Sequence, residues 1–103
     1  MMKKKIYIIG NLSKHITPEI QDSFLLTKLE LLRIGFDVIN PIENLNEKST
    51  INYRIKIRNI KQLAECDAVY LMPCAILDRS KNLELSIALD LNLLVINGTL
   101  NLR

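Results

Sequence analysis

Four short apolar runs punctuate the chain, and between them apolar residues recur at helical spacing. The runs are Lys5-Ile6-Tyr7-Ile8-Ile9, Phe36-Asp37-Val38-Ile39, Ala68-Val69-Tyr70-Leu71-Met72 and Leu93-Leu94-Val95-Ile96. A strand-interrupting residue follows each of them: Gly10, Asn40-Pro41, Pro73 and Asn97-Gly98. After the first run a loop extends through Ile16. Thr17 is then placed as an N-cap, Pro18 as a first helical residue and Glu19 as a dipole complement, and Gly35 offers a left-handed C-terminal cap. A second helix is predicted from about Tyr53 to Glu65, where Ile57, Ile60, Leu63 and Ala64 fall at helical spacing. A third carries Leu83, Ile87, Ala88 and Leu91 on one face. The polar stretch from Ile42 to Asn52 reads as a loop, at the mouth of any site above the sheet.

Strands that are apolar throughout and alternate with helices indicate a parallel sheet covered on both faces. The predicted fold class is therefore α/β, a flavodoxin-like or Rossmann-like three-layer sandwich with four to five parallel strands. Residues 1–103 form one domain in this reading, since 103 residues with 49% hydrophobic content can bury a core without metals or disulfides. The first helix carries two stripes: Ile20, Phe24 and Leu31, and, well round the cylinder, Leu25, Leu29 and Leu32. One sheet face cannot bury both, which predicts a homo-oligomer, a dimer or larger.

Charge narrows the partners only modestly. The formal charge is +3, but the basic residues are scattered and aromatics make up 5%, so a nucleic-acid groove is not expected. Lys3-Lys4-Lys5 reads as a solvated lead-in to the first strand. Cys66 and Cys74 are too far apart for a CxxC pair and read as two reduced thiols. His15 is the single histidine, so no zinc or other transition-metal site is expected. Ile6 to Ile9 is too short for a signal-peptide core and no segment approaches a membrane span, which points to the cytoplasm. After the first strand the chain reads Gly10-Asn11-Leu12-Ser13-Lys14, neither GxGxxG nor a Walker pattern. Dinucleotide binding and P-loop chemistry fit poorly, and no cofactor is expected.

The candidate chemistry centres on Glu84. It ends the run Leu77-Asp78-Arg79-Ser80-Lys81-Asn82-Leu83-Glu84, after a buried strand and within the first turn of the next helix. Ligands of such sheets bind outside the carboxyl ends of the strands, and a helix N-terminus favours an ionised carboxylate. Glu84 reads either as a nucleophile presented to a ligand or as an ordinary first-turn glutamate complementing the helix dipole.

Four blocks in order, Lys5-Ile6-Tyr7-Ile8-Ile9-Gly10, Gly35-Phe36-Asp37-Val38-Ile39-Asn40-Pro41, Cys66-Asp67-Ala68-Val69-Tyr70-Leu71-Met72-Pro73 and Leu83-Glu84 with its alanine-bearing helix, carry a family likeness. Together they resemble the nucleoside 2-deoxyribosyltransferase superfamily, particularly its short bacterial and phage members grouped as domain-of-unknown-function family 4406. The resemblance implies that Glu84 attacks C1′ of a deoxyribonucleoside to form a glycosyl-enzyme, resolved by water or a second base, with logic close to that of retaining glycosidases. It also implies that Tyr7 holds nucleophile and sugar, although a half-buried strand aromatic is an equal reading of that residue.

This sequence departs from the family at the acid. Where members typically have Arg-Asp-Leu on the second helix, it has Arg58-Asn59-Ile60. Asparagine hydrogen-bonds a base edge but delivers no proton at neutral pH, and loss of acid assistance commonly costs about 10²–10⁴-fold in rate. Asp67 matches a helix-to-strand turn and is expected to cap backbone there. The loop before Glu84 departs as well: Asp78 and then Ser80-Lys81 stand where short members have serine and then Gly-Ala. By that resemblance Asp78 repels a 5′-phosphate and suits a 5′-hydroxyl, unless Arg79 and Lys81 turn inward, and Ser80 narrows the pocket. Gly10 falls at the substrate, and Asn97 or Asn101 completes a neighbouring subunit's site. The ligand implied is a small-molecule nucleoside or nucleotide. Three functions stay open: a glycosyl-transferring or hydrolysing enzyme, a catalytically degenerate binder of a nucleoside- or nucleotide-derived ligand, and an interaction module that kept only the fold.

Overall fold

The computed structural model describes residues 3–11, 16–45, 52–78 and 80–98. Along the chain these form β1 (Lys5–Ile9), α1 (Pro18–Ile34), β2 (Asp37–Ile39), a 3-10 turn (Pro41–Asn44), α2 (Tyr53–Ala64), β3 (Ala68–Leu71), α3 (Leu83–Asp90) and β4 (Leu94–Asn97). Every helix starts on a side-chain cap. The Ile20 N–H donates to Thr17 Oγ1 at 3.2 Å, the Ile55 N–H to Asn52 Oδ1 at 3.0 Å and the Leu85 N–H to Asn82 Oδ1 at 3.1 Å. At the other end of α1, Gly35 adopts φ +118°, and its N–H and that of Phe36 both donate to the Leu31 carbonyl.

Several elements differ from the sequence expectation. β2 starts at Asp37 instead of Phe36, and α3 buries Leu85 and Ala88 while Leu83 and Leu91, expected on its apolar face, are exposed. The stretch after Asn40 is not all loop: Asn40 Oδ1 accepts from the Ile42 N–H, Pro41 takes the first turn position, and a Lys28–Glu43 ion pair ties the resulting 3-10 turn to α1. The fourth strand starts one residue late, because the Leu93 N–H is taken by the Ala88 carbonyl in closing α3. Asp67 caps backbone as expected, its carboxylate accepting the Lys5 N–H at 2.8 Å.

The four strands run parallel in the order β2-β1-β3-β4. Alternation along β1 sends Ile6 and Ile8 to one face, where Phe24 and Leu31 of α1 cover them. Tyr7 and Ile9 point to the other, packing with Leu63 of α2 and Leu85 and Ala88 of α3. This is the α/β three-layer sandwich that the pattern predicts. Chain order reverses between β1 and β3, so the crevice beyond their carboxyl ends is the topological switch point.

The two stripes of α1 separate as their spacing implies. Phe24 and Leu31 are buried, while Leu25, Leu29 and Leu32 remain 48%, 53% and 39% exposed. Cys66 is buried and Cys74 exposed, both as free thiols. Burial pushes the Cys66 thiol up to about 11, with Lys5 acting in the opposite sense, and its Sγ donates to the Gln62 carbonyl. No helix among the described residues is long and apolar enough to cross a membrane.

Candidate functional site

A cavity of about 300 Å³ opens at the switch point, within the size range of small-molecule sites. Three pieces of chain build it. The end of β1 supplies Gly10 and Asn11, and α2 supplies Lys56, Asn59 and Ile60, which share a helix face at spacings of three and four. Ile76 and the segment from Lys81 to Glu84 close the third side.

Glu84 is placed by local chemistry. Asn82 caps α3 through its oxygen while its Nδ2 donates to the Ile76 carbonyl at 2.8 Å, which pins the β3–α3 connection to the helix start. Glu84 is the second residue of the helix and its carboxylate reaches back over the sheet. There the hydroxyl of fully buried Tyr7 donates to Glu84 Oε2. Burial pushes the Glu84 carboxyl up to about 6, against the Tyr7 hydrogen bond, which stabilises the anion. Burial and the neighbouring carboxylate hold the Tyr7 phenol far above its ordinary range, so it stays a donor. A carboxylate in this setting is mostly ionised at neutral pH, poorly solvated and fixed in orientation, which suits a nucleophile or a base. Carbon-detected NMR titration of the Glu84 carboxyl is expected to give a midpoint near 6, and Tyr7→Phe to move it higher. A midpoint near 4 in both proteins would remove the buried pair.

Asn59 is 3% exposed and lines the cavity from α2. Asn44 Nδ2 donates to Asn59 Oδ1 at 2.6 Å and to Gln62 Oε1 at 2.7 Å, so the 3-10 turn braces the α2 face from behind.

The structure gathers Gly10, Asn59 and Glu84 around one cavity, with Tyr7 hydrogen-bonded to Glu84. A Cβ at Gly10 would lie 2.4 Å from Phe24 Cζ and 2.8 Å from Met72 Sδ, so packing on the α1 side already requires glycine there. Asp78, Ser80 and Asn97 do not line the cavity. Asp78 Oδ1 accepts from the Ser80 N–H at 3.0 Å and the Ser80 Oγ at 2.7 Å, a closed turn that lowers the Asp78 pKa through those two bonds. Asn97 ends β4 beside Leu71, on the far side of β3 from β1. His15, Arg79 and Asn101 lie outside the described residues. Sequence reasoning missed Lys56, Asn11 and Ile76. The position of Lys56 three residues before Asn59 is the signal that finds it.

Neither a protein-family model nor a curated protein sequence matches the chain. Among solved structures, it is similar to a 2-desoxiribosyltransferase from Leishmania mexicana, with a TM-score of 0.58 and 22% sequence identity over 91% of this chain. The chain spans 63% of that protein's length. The similarity is one of fold, and it matches the α/β architecture read from the strand and helix pattern.

Proposed function

We propose that the chain is a nucleoside 2-deoxyribosyltransferase-like protein that cleaves or exchanges the N-glycosidic bond of a (deoxy)nucleoside, with Glu84 as nucleophile. The observation that carries this reading is the Tyr7–Glu84 pair, a poorly solvated carboxylate facing a nucleoside-sized cavity at the switch point. The fold shared with a deoxyribosyltransferase supports it. A Glu84 oxygen attacks C1′ as the C1′–N bond breaks, and the bonding pair leaves with the base. Tyr7 holds the other lone pairs in place. Water or a second base then attacks C1′, loses its proton, and frees the carboxylate. Asn59, its oxygen engaged by Asn44, offers the leaving base hydrogen-bond donors but no acidic proton.

That amide favours a second reading, a degenerate relative that binds a nucleoside-derived ligand without turning it over. Incubation with a deoxynucleoside panel and a free acceptor base, followed by chromatography, separates the two. New nucleoside or released base that vanishes in Glu84→Ala supports the enzyme. Saturable binding without product supports the binder.

The oligomer belongs to the same proposal. The stripe of Leu25, Leu29 and Leu32 is the face proposed for a second copy, since three half-exposed leucines along one side of α1 form an apolar strip that a symmetry-related helix can cover. Light scattering at micromolar concentration is expected to give a dimer or larger, and Leu29→Glu to shift it toward monomer. A sharp monomer mass for the unaltered protein would end that part of the proposal.

A further inference from the structure

An asparagine amide can turn either of two ends toward a ligand, nearly alike in shape and opposite in chemistry, and at Asn59 a residue outside the cavity lining makes the choice. The Asn59 Oδ1 accepts from Asn44 Nδ2 at 2.6 Å, and the same Asn44 amide donates to Gln62 Oε1 at 2.7 Å. Gln62 lies three residues after Asn59 on α2, so one donor group grips two oxygens on one side of a helix. Asn44 is itself set by the 3-10 turn, which Asn40 caps and the Lys28–Glu43 pair ties to α1. Reversing Asn59 alone would set its N–H2 against that of Asn44. With Oδ1 engaged, Nδ2 is the polar atom that Asn59 has left for the cavity it lines. Among the described residues Nδ2 has no partner and no fully buried side-chain nitrogen or oxygen lacks one, so Nδ2 keeps its open side toward that cavity.

We propose that Asn44 is a positioning residue that sets base selectivity: it turns the Asn59 N–H2 into the cavity, and the site takes nucleosides of oxo bases over those of amino bases. The inference rests on the reading of the cavity as a nucleoside site and narrows it to a class of base. An amino group on the base edge would set donor against donor beside a residue only 3% exposed, whereas a carbonyl oxygen completes the bond. The same donor suits the departure. As a Glu84 oxygen bonds C1′ and the C1′–N bond breaks, Asn59 supplies no acidic proton, so the base leaves with the bonding pair as an anion and takes its proton from water afterwards. In an oxo base that charge spreads onto the carbonyl oxygen, and the Asn59 hydrogen bond strengthens as the charge develops.

Titration calorimetry on Glu84→Ala, in which the proposed nucleophile is gone and binding is read without turnover, compares deoxyuridine with deoxycytidine and deoxyinosine with deoxyadenosine. In each pair that binds, the oxo member is expected to be held about tenfold tighter, the scale of one buried bond made against one donor left unpaired. Adding Asn44→Asp offers only acceptors at that position, so Asn59 and Gln62 turn their N–H2 groups toward it and Asn59 Oδ1 enters the cavity. The preference is then expected to invert, with the amino member tighter, whereas Asn44→Ala brings the ratio toward one. A merely structural loss at position 44 would weaken both members of a pair alike and leave their ratio unchanged. With Asn44 intact, the Asn59 side-chain N–H2 resonance is expected to move on adding the oxo nucleoside, a reading that needs no variant at position 44. An amino preference with Asn44 in place, a ratio that Asn44→Asp leaves unchanged, an Asn59 resonance that stays put, or binding of none of the four nucleosides overturns the inference. Glu84-dependent turnover by the unaltered protein with no oxo preference sinks this inference and leaves the functional proposal intact. Oxo-selective, Asn44-dependent binding in a protein without turnover does the reverse.

Discussion

Glu84→Gln is expected to abolish glycosyl transfer and, at the same time, to make the folded chain more stable. The first effect follows from the proposed chemistry, because an amide oxygen is a poor nucleophile and cannot form the glycosyl ester. Loss of a covalent nucleophile costs at least about 10⁴-fold in kcat/KM. The second follows from burial. The carboxyl is raised from its ordinary 4.5 to about 6 in the folded chain, so the folded state binds the proton more tightly than the unfolded state does. Stability therefore falls as pH rises through that window, and above it the ionised group costs up to about 2 kcal/mol. Glutamine carries no such charge, so urea denaturation at about pH 8 is expected to show a gain of about 1–2 kcal/mol that vanishes near pH 4. Chromatography and denaturation thus read one residue in two independent ways. A variant that loses activity with no change in the pH dependence of stability would place Glu84 in solvent. One that keeps activity would refute its role as nucleophile.

Architecture was legible because the residues that make it act locally. Thr17, Pro18 and Gly35 bracket α1, and the unbroken apolar runs mark strands buried on both faces. The two stripes of α1 also separate in the structure as their angular spacing implies. Where the reading lagged, the determinant was an interaction between distant segments. The 3-10 turn has a local cap in Asn40-Pro41, but it is tied down by Glu43 meeting Lys28 of α1, which nothing in the local polar composition announces. Asn44 was invisible for the same reason: its importance lies in bracing Asn59 and Gln62 from another element. At the site, Glu84 and Tyr7 stand out in sequence through the family-like blocks, but their hydrogen bond spans 77 residues and only the folded chain joins them. The loop residues Asp78 and Ser80 show the converse. A short polar side chain two residues before a backbone N–H readily closes on its own turn, and that local bond competes with any role toward a ligand.

Asn59→Asp is expected to raise the rate of base release or exchange by about 10²-fold, the lower end of what a general acid contributes. The site is prepared for it. Asn59 lines the cavity, and its oxygen already accepts from Asn44 Nδ2 at 2.6 Å, a donor that an aspartyl oxygen retains. Burial at 3% exposure and a shared cavity with Glu84 would both raise the pKa of the introduced carboxyl, keeping a fraction protonated near neutral pH. That proton passes to a nitrogen or oxygen of the departing base as the C1′–N bond breaks, so the base leaves neutral instead of as an anion. Because acid assistance matters most when the leaving group is poor, the gain should be largest for ordinary bases and small for activated ones. The pH profile should change in kind as well. The unaltered protein needs only ionised Glu84, so kcat/KM rises with pH through about 6 and then levels. The variant needs a second group protonated and should gain a falling limb at higher pH. Burying a new carboxylate costs stability, so melting curves must show the variant folded at the assay temperature. A folded variant with no gain on any base and no falling limb would mean that position 59 does not face the leaving group.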